Sequence, residues 1–277
     1  MSHHFEGDIY KHNQAGWDRW AENGIEWSIP VTPQVIAAAR QGDWQVVLTE
    51  TRAAPREWFL GLKASHLSGL QDGIRGVDML CLASGGGQQA PVFAAAGARV
   101  TVLDASPQQL ARDRLVAERD GLELRTVLGD MRDLSMFEDE SFDLVFHPVS
   151  NVYVPDVLPV WKEAYRVLRF GGALLAGMTN PVLYCFDPEL VKQGIYQLKY
   201  SLPYSDATSI TEEERLQFYG KDEPLQFSHT LEALIGGQLE AGFVLVGFYE
   251  DYAREDAIKN YFPSYFATKA LKMKAKC

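Results

Sequence analysis

A run of small residues directly after a short apolar segment is the feature that most constrains this chain. Residues 77–82 have the pattern of a buried strand, Ala83-Ser84-Gly85-Gly86-Gly87 follow it, and a helical pattern begins at Gln88. Glycines let the backbone adopt positive φ and approach a ligand closely, and the start of the following helix offers amide hydrogens. In a parallel sheet, ligands bind at such a turn. The pattern therefore predicts a nucleotide-like ligand.

An acidic residue stands at the end of the next predicted strand. Residues 100–103 are apolar, and Asp104 follows them, 19 residues after Gly85. A carboxylate at that spacing can accept hydrogen bonds from the two hydroxyls of a ribose. The turn and Asp104 together predict a cofactor that contains adenosine. Gly85-x-Gly87-x-x-Ala90 also fits the dinucleotide pattern, so NAD stays open at this point.

Strand and helix patterns alternate along the chain from about residue 76. Helices are predicted at 88–96, from Ser106-Pro107 onward, after an N-cap at Asp156 until Gly171-Gly172, and at 230–241. Further strands are predicted at 122–128, 142–146 and 173–177. Such alternation predicts an α/β fold, a doubly wound parallel sheet with helices on both faces. The two closing strands, 243–249 and 265–271, are separated by a loop too short for a crossover helix, which favours an antiparallel pair.

The parts that flank this alternation differ in composition. Residues 1–75 are rich in aromatic side chains with little strand pattern, and they are predicted to form an N-terminal helical extension or lid over the sheet. Residues 76–277 are then the core. Residues 181–227, rich in Tyr, Pro and acidic side chains, are predicted to be a substrate cap inserted between the fifth and sixth strands.

The charge balance argues against a nucleic-acid partner. A formal net charge of -11 opposes approach to a phosphate backbone. Cys81, Cys185 and Cys277 have unrelated spacings, so neither a disulfide framework nor a metal site is predicted. No apolar run reaches the roughly 18 residues of a membrane span. We therefore expect a cytoplasmic protein with no membrane partner, while its oligomeric state stays unknown.

The first motif resembles that of the class I S-adenosylmethionine-dependent methyltransferases, of the small-molecule type, in a variant form, CLASGGG. Residues 79–87 align with this motif, and the resemblance continues through residues 102–106, 129–134, 141–145 and 163–172. It implies S-adenosylmethionine as cofactor and S-adenosylhomocysteine as product. It also implies a Rossmann-like seven-stranded sheet, mostly parallel with an antiparallel last strand. Cys81 stands where the family usually has an acidic residue, and Ala83 replaces the first glycine, so contacts to the methionine end of the cofactor are expected to be rearranged.

The resemblance also assigns cofactor-binding roles. Asp104 and Ala105 match the end of the ribose-binding strand, Asp130 would hydrogen-bond the adenine amino group, and Met131 would pack on the adenine ring. His147 follows the fourth strand, where the family places residues that face cofactor and substrate. A satisfied structural histidine is the alternative for that position.

Methyl transfer from a sulfonium is an in-line displacement, so alignment and exclusion of water can carry most of it. If the acceptor is a hydroxyl or a thiol, a general base would help, and His147 and His229 are the candidate catalytic residues because imidazole titrates near neutral pH. For His229 the alternative is a residue that merely flanks the next helix.

Aromatic and polar side chains near the predicted turn are candidates for contact with the ligands. Tyr10 and Trp17 are predicted to close over the sulfonium by cation–π contact, with core packing as the alternative. Asn151 and Tyr153, on the loop after the fourth strand, are predicted to line the substrate pocket, with loop packing as the alternative. No metal ligands are predicted.

Three functions are compatible with these features. The leading hypothesis is a methyltransferase acting on a small molecule. An NAD-dependent oxidoreductase fits the glycine spacing, and a non-catalytic adenosylmethionine-binding protein fits the unusual Cys81 and Ala83.

Overall fold

The computed structural model describes residues 4–60 and 73–274, and Cys277 lies outside them. Most of the strands form one large sheet. The described strands are β1 (Asp78–Leu82), β2 (Arg99–Asp104), β3 (Leu124–Leu128), β4 (Phe142–His147), β5 (Leu168–Thr179), β6 (Tyr204–Ser205), β7 (Phe227–Ser228), β8 (Phe243–Asp251) and β9 (Tyr265–Lys272).

Helices cover the sheet and extend from it at the N-terminus. The α-helices are α1 (Ile9–Glu22), α2 (Pro33–Arg40), α3 (Gln89–Ala95), α4 (Pro107–Asp120), α5 (Leu158–Val167), α6 (Pro188–Val191), α7 (Glu212–Phe218) and α8 (Gly237–Glu240). A π-helical turn, Glu232–Gly236, runs directly into α8. The helix predicted at 230–241 therefore forms with its first half wound more widely than an α-helix.

The large sheet has seven strands in the order β3-β2-β1-β4-β5-β9-β8. The pairs among β1 to β5 are parallel, and β9 pairs antiparallel with both β5 and β8. This confirms the predicted fold class and the antiparallel closing strand. Strand order reverses between β1 and β4, and the carboxyl ends of strands beside such a reversal are where ligands bind in open α/β sheets.

The central strands are buried on both faces. Leu144 and Phe146 of β4 point into a cluster that contains Phe93 of α3. Val145, between them, points into a second cluster that contains Trp161 of α5. Continuous apolar runs are expected in such strands because helices cover both sides.

The boundary between α5 and β5 differs from the prediction. Gly171-Gly172 were expected to stop the helix, but α5 ends at Val167 and β5 runs through both glycines. The chain becomes extended early because Leu168 pairs with Phe142 of β4, and a register shift follows there. The helix N-cap is Val157 rather than Asp156, although the Asp156 carboxylate still accepts the Leu158 N–H.

The described part of the N-terminal segment contains α1, α2 and a 3-10 helical turn at Arg56–Phe59. Residues 47–50, called the strap below, follow α2 in a non-helical conformation and cross β5. A Cβ added at Gly177 of β5 would lie 1.8 Å from the carbonyl oxygen of Leu48, so the strap rests directly on the β5 backbone. The same carbonyl accepts the Val149 N–H at 3.0 Å. The strap is thus fixed at the carboxyl ends of β4 and β5.

In the part of the chain that the structure describes, no helix combines the length and the apolar character needed to cross a bilayer. The cytoplasmic location stays a prediction.

Candidate functional site

A cavity of about 640 Å³ lies at the carboxyl ends of the parallel strands. The glycine-rich turn after β1 and the end of β2 form one end of it, and residues of the 181–227 insertion form the other. Helix α1, the strap and the loop after β4 complete its walls. The cavity is continuous, so two ligands could meet inside it.

The turn is shaped by close backbone contacts. Ala83 has a φ of 47°, a left-handed conformation that costs a side-chain-bearing residue some strain. A Cβ at Gly85 would lie 2.7 Å from the Gln109 Cβ, and one at Gly86 would lie 2.4 Å from the Trp27 carbonyl oxygen. Glycine is needed at both positions because neighbouring backbone and side-chain atoms occupy the space of a side chain.

The three glycine amides are already hydrogen-bonded within the protein. Gly85 donates to the Asp104 carboxylate at 2.9 Å, Gly86 to the Gln109 carbonyl at 3.1 Å and Gly87 to the Asp113 carboxylate at 3.1 Å. These three amides are therefore not free to donate to a ligand. A pyrophosphate would meet occupied donors and two carboxylates, which counts against a dinucleotide at this turn.

Asp104 lines the cavity at the end of β2. Its carboxylate accepts the N–H of Gly85 and the N–H of Ser106, both at 2.9 Å. Burial raises its pKa to about 6, against the lowering effect of these backbone hydrogen bonds. A carboxylate held in this way can still accept hydrogen bonds from hydroxyl groups in the cavity.

Asp130 and Met131 also line the cavity, as does Ala105. The Asp130 carboxylate already forms an ion pair with Arg132, with 2.6 Å between Oδ2 and the guanidinium. Met131 is 8% exposed and presents an apolar surface. The structure thus brings these residues to the same end of the cavity as Asp104, while their contacts to adenine stay predictions.

Helix α1 carries two of the predicted ligand contacts into the cavity wall, Tyr10 and Trp17. The pKa of Tyr10 is raised by burial first and then by the carboxylates of Asp130 and Asp104, which places its hydroxyl near both. The Trp17 ring packs edge-to-face on Tyr153, with 5.0 Å between centroids. Both aromatic side chains therefore lie in the wall of the cavity, while their contacts to a ligand stay predictions.

Asn13 fixes α1 to two other parts of the site. Its side-chain nitrogen donates to the carbonyls of Tyr153 and Leu225, at 2.9 and 3.0 Å. Its side-chain oxygen accepts the Leu225 N–H at 2.8 Å. One buried side chain thus connects the N-terminal helix, the loop after β4 and the insertion.

Neither predicted catalytic histidine is among the side chains that line the cavity. His147 is fully buried because it shares the face of Val145, and its Nδ1 donates to the Leu82 carbonyl at 2.9 Å. Burial lowers its pKa to about 4. His229 is also buried, with Nε2 3.0 Å from the Asn151 carbonyl and a pKa lowered by that burial. The geometry corrects the expectation that either ring faces a ligand or acts as a base on one.

The two residues predicted for the substrate pocket separate. Tyr153 lines the cavity, whereas Asn151 lies beneath it, 1% exposed, and donates to the Gly177 carbonyl at 2.8 Å. Asn151 therefore has the loop-packing role that the sequence left open, because its side chain ties the loop after β4 to β5.

The far end of the cavity is lined by aromatic side chains that sequence reasoning did not single out. They come from the insertion and from β9: Tyr184, Phe186, Tyr200, Tyr204, Tyr219 and Tyr265. The Tyr204 hydroxyl donates to Asp206 at 2.8 Å, and the Tyr184 hydroxyl donates to Gln226 at 2.6 Å. These hydrogen bonds fix the rings, which leaves flat apolar faces for a ligand.

Among the side chains that line this end of the cavity, Lys192 and Glu50 are charged. Lys192 is neutralised by Glu189, with 2.7 Å between the charged atoms. Glu50 of the strap lines the cavity, and its carboxylate accepts the Arg254 backbone N–H at 3.0 Å. Burial is the main cause of the raised pKa of Tyr265, and the Glu50 carboxylate is the second cause, so the two side chains face each other. The aromatic end therefore carries negative charge at Glu50.

No group of three His, Cys, Asp or Glu side chains that could hold a metal ion occurs within residues 4–60 and 73–274.

Comparison with known proteins identifies related sequences. Residues 80–176 match a family model described as a methyltransferase domain. Over 265 residues the chain is 47% identical to the uncharacterized methyltransferase YbaJ of Bacillus subtilis, a match that covers 96% of this chain and 99% of that protein. A sterol 24-C-methyltransferase of Aspergillus fumigatus is 34% identical over 110 residues, which are 39% of this chain and 28% of that protein.

Solved structures share the fold. An S-adenosylmethionine dependent methyltransferase from Mesorhizobium loti superposes with a TM-score of 0.55 at 18% identity, over 72% of this chain and 92% of that chain. A second match has a TM-score of 0.52 at 14% identity, over 96% of this chain and 99% of that chain. It is a chain from the complex between the Haloferax volcanii Trm112 methyltransferase activator and a methyltransferase.

Proposed function

The chain belongs to the class I S-adenosylmethionine-dependent methyltransferase family, and from that premise we propose that it methylates a small, flat molecule, uncharged or cationic, held at the aromatic end of the cavity. Membership in this family selects methyl transfer among the three functions that the sequence left open. The occupied glycine amides agree with it, since S-adenosylmethionine has no phosphate for them to bind.

The residues at the turn fit S-adenosylmethionine. Ser84 lines the cavity, and its buried hydroxyl has no hydrogen-bond partner among the described groups, so a polar ligand would satisfy it. We assign Asp104 to the ribose hydroxyls, Asp130 and Met131 to the adenine, and Ser84 to the methionine end. Donor, acceptor and apolar groups are thus all present for the three parts of the cofactor.

When bound, S-adenosylmethionine supplies an activated methyl group on a sulfonium centre. The part of the chain is to hold the acceptor in line with that methyl group and to exclude water. Trp17 and the strap cover the cavity for this purpose. With His147 and His229 packed outside the cavity, transfer depends on alignment rather than on a histidine base.

The proposed class of acceptor rests on one observation, the aromatic lining at the far end of the cavity. Pockets for small molecules are largely apolar with a few placed polar groups, as this end is. Aromatic faces beside a carboxylate also suit a cation, whereas an anion would be repelled by Glu50. The net charge of -11 adds to this preference.

Three naphthalene compounds of similar size test the acceptor class. With S-adenosylhomocysteine saturating the protein, we expect 2-naphthol and 2-(aminomethyl)naphthalene to bind, and 2-naphthoate to bind about tenfold more weakly because Glu50 repels it. Calorimetry measures the three dissociation constants. Glu50→Gln should remove most of the difference for the anion. Equal or tighter binding of 2-naphthoate by the unchanged protein, or no binding of any compound at millimolar concentration, would contradict the proposal.

The pKa of Asp104 predicts how cofactor affinity changes with pH. The carboxylate form accepts the ribose hydroxyls, and below about pH 6 the ligand-free protein carries a proton there. Affinity for S-adenosylhomocysteine should therefore fall as pH is lowered, by about tenfold between pH 7 and pH 5. Calorimetric titrations across this range measure it, and Asp104→Asn should abolish the dependence.

The contribution of Asp104 to the free energy of unfolding has the opposite pH dependence. Because its carboxyl pKa is raised in the folded protein, this contribution declines as pH rises from about 4 to about 6.

A further inference from the structure

Asp113 is a buried carboxylate for which the reaction described above has no use. It lies on α4 and is fully buried, on the same helix face as the apolar Leu110 and Val116. A charged side chain is rarely buried unless it is paired or has a specific task. Its pKa is raised by burial first and then by the nearby Asp104 carboxylate, so its environment does not favour its charge.

The contacts of Asp113 are directed at the glycine-rich turn. Its Oδ1 accepts the Gly87 N–H at 3.1 Å, and its Oδ2 has no hydrogen-bond partner among the described groups. Gly87 has a φ of 74°, and a Cβ there would lie 2.9 Å from the Arg112 carbonyl oxygen. The turn therefore rests on the backbone of α4, and Asp113 is the side chain that bonds it there.

The strand before the turn offers no comparable acceptor. Cys81 of β1 is fully buried, and this burial raises the pKa of its thiol. A thiol is a much weaker hydrogen-bond acceptor than a carboxylate. The carboxylates that anchor the turn thus come from α4 and from the end of β2 rather than from β1.

We propose that Asp113 is a positioning residue for the cofactor, which holds the Gly87 amide so that the turn has its ligand-binding shape before the cofactor arrives. A turn with positive φ at Gly86 and Gly87 has many alternative conformations when its amides lose their acceptors. Ordering it on binding would reduce affinity, and ordering it beforehand removes that cost.

Two variants of nearly equal shape test the role of Asp113. Asp113→Asn keeps an oxygen that accepts the Gly87 N–H, and Asp113→Leu keeps the branched shape without an acceptor. We expect Asp113→Asn to bind S-adenosylhomocysteine within about threefold of the unchanged protein, and Asp113→Leu to bind it at least about tenfold more weakly. Calorimetry on the full chain measures both, and amide exchange at Gly87, followed by NMR, should be faster in Asp113→Leu alone.

The outcomes separate this role from a purely structural one. A structural role would lower the melting temperature of Asp113→Leu and leave the affinity of the folded protein unchanged. Equal affinities for the Leu and Asn variants would overturn the proposal. If Asp113→Leu does not fold, Asp113→Ala takes its place in the same comparison. The acceptor plays no part in the measurement, so failure here is distinct from failure of the proposed acceptor class.

Discussion

Replacing Asp104 with alanine is expected to weaken binding of S-adenosylmethionine by about a hundredfold or more. In the proposed binding mode the variant loses two hydrogen bonds from the ribose hydroxyls to a carboxylate, each worth about 1.5 kcal/mol or more, and 1.4 kcal/mol is a factor of ten. The variant also removes the acceptor of the Gly85 N–H, so the turn loses part of its support. Isothermal calorimetry with S-adenosylmethionine measures the change.

Asp78 provides the matched control for this experiment. It stands at the opposite end of β1 and forms ion pairs with Arg99 and Arg169, with 2.6 and 2.8 Å between the charged atoms. Asp78→Ala should lower stability without changing cofactor affinity. An unchanged affinity in Asp104→Ala would remove the basis for placing the ribose at this carboxylate.

Adding one methyl group at Gly177 is expected to destabilise the protein by about 3 kcal/mol or more, at the upper end of overpacking effects. The new Cβ would lie 1.8 Å from the Leu48 carbonyl oxygen, a distance that only movement of the backbone can relieve. The strap would have to leave β5, and the Val149 N–H would lose its acceptor. Urea unfolding of Gly177→Ala against the unchanged protein measures the loss.

Gly236→Ala is the control for the addition of a methyl group. Its Cβ would meet only the Glu232 Cγ at 3.6 Å, which is ordinary contact. Because Glu50 and Thr49 of the strap line the cavity, Gly177→Ala should also weaken binding of the naphthalene probes, and Gly236→Ala should not. Similar stability of the two variants would mean that the strap does not rest on β5 as described.

The sheet was predictable because its signals are local. Apolar runs, turn residues and helix patterns are read within a few positions, and the short closing loop alone indicated the antiparallel strand β9. The prediction that α5 ends at Gly171-Gly172 was wrong, because the pairing of Leu168 with β4 ends the helix earlier. Boundaries of this kind depend on contacts between strands, which a single sequence does not display.

Sequence patterns predicted part of the site, including Tyr10 and Trp17, which line the cavity. The turn and Asp104 adjoin the ends of neighbouring strands, so spacing was enough. His147 was misplaced because the position after a strand says nothing about which face the side chain takes, and the alternation of β4 sends it into the cluster of Trp161. Asp113 did leave a signal, since it interrupts the apolar stripe of α4. Contacts of the strap, such as that of Leu48 with Gly177, left no signal in the sequence.

The hydrogen bonds of Asn13 have an evolutionary consequence. They reach main-chain atoms of Tyr153 and Leu225, so these hydrogen bonds do not depend on which side chains those positions carry. The insertion can exchange its tyrosines for other residues while Asn13 still holds α1 at the wall of the cavity. This arrangement lets the acceptor end of the cavity change its side chains while the main-chain attachment of α1 is kept.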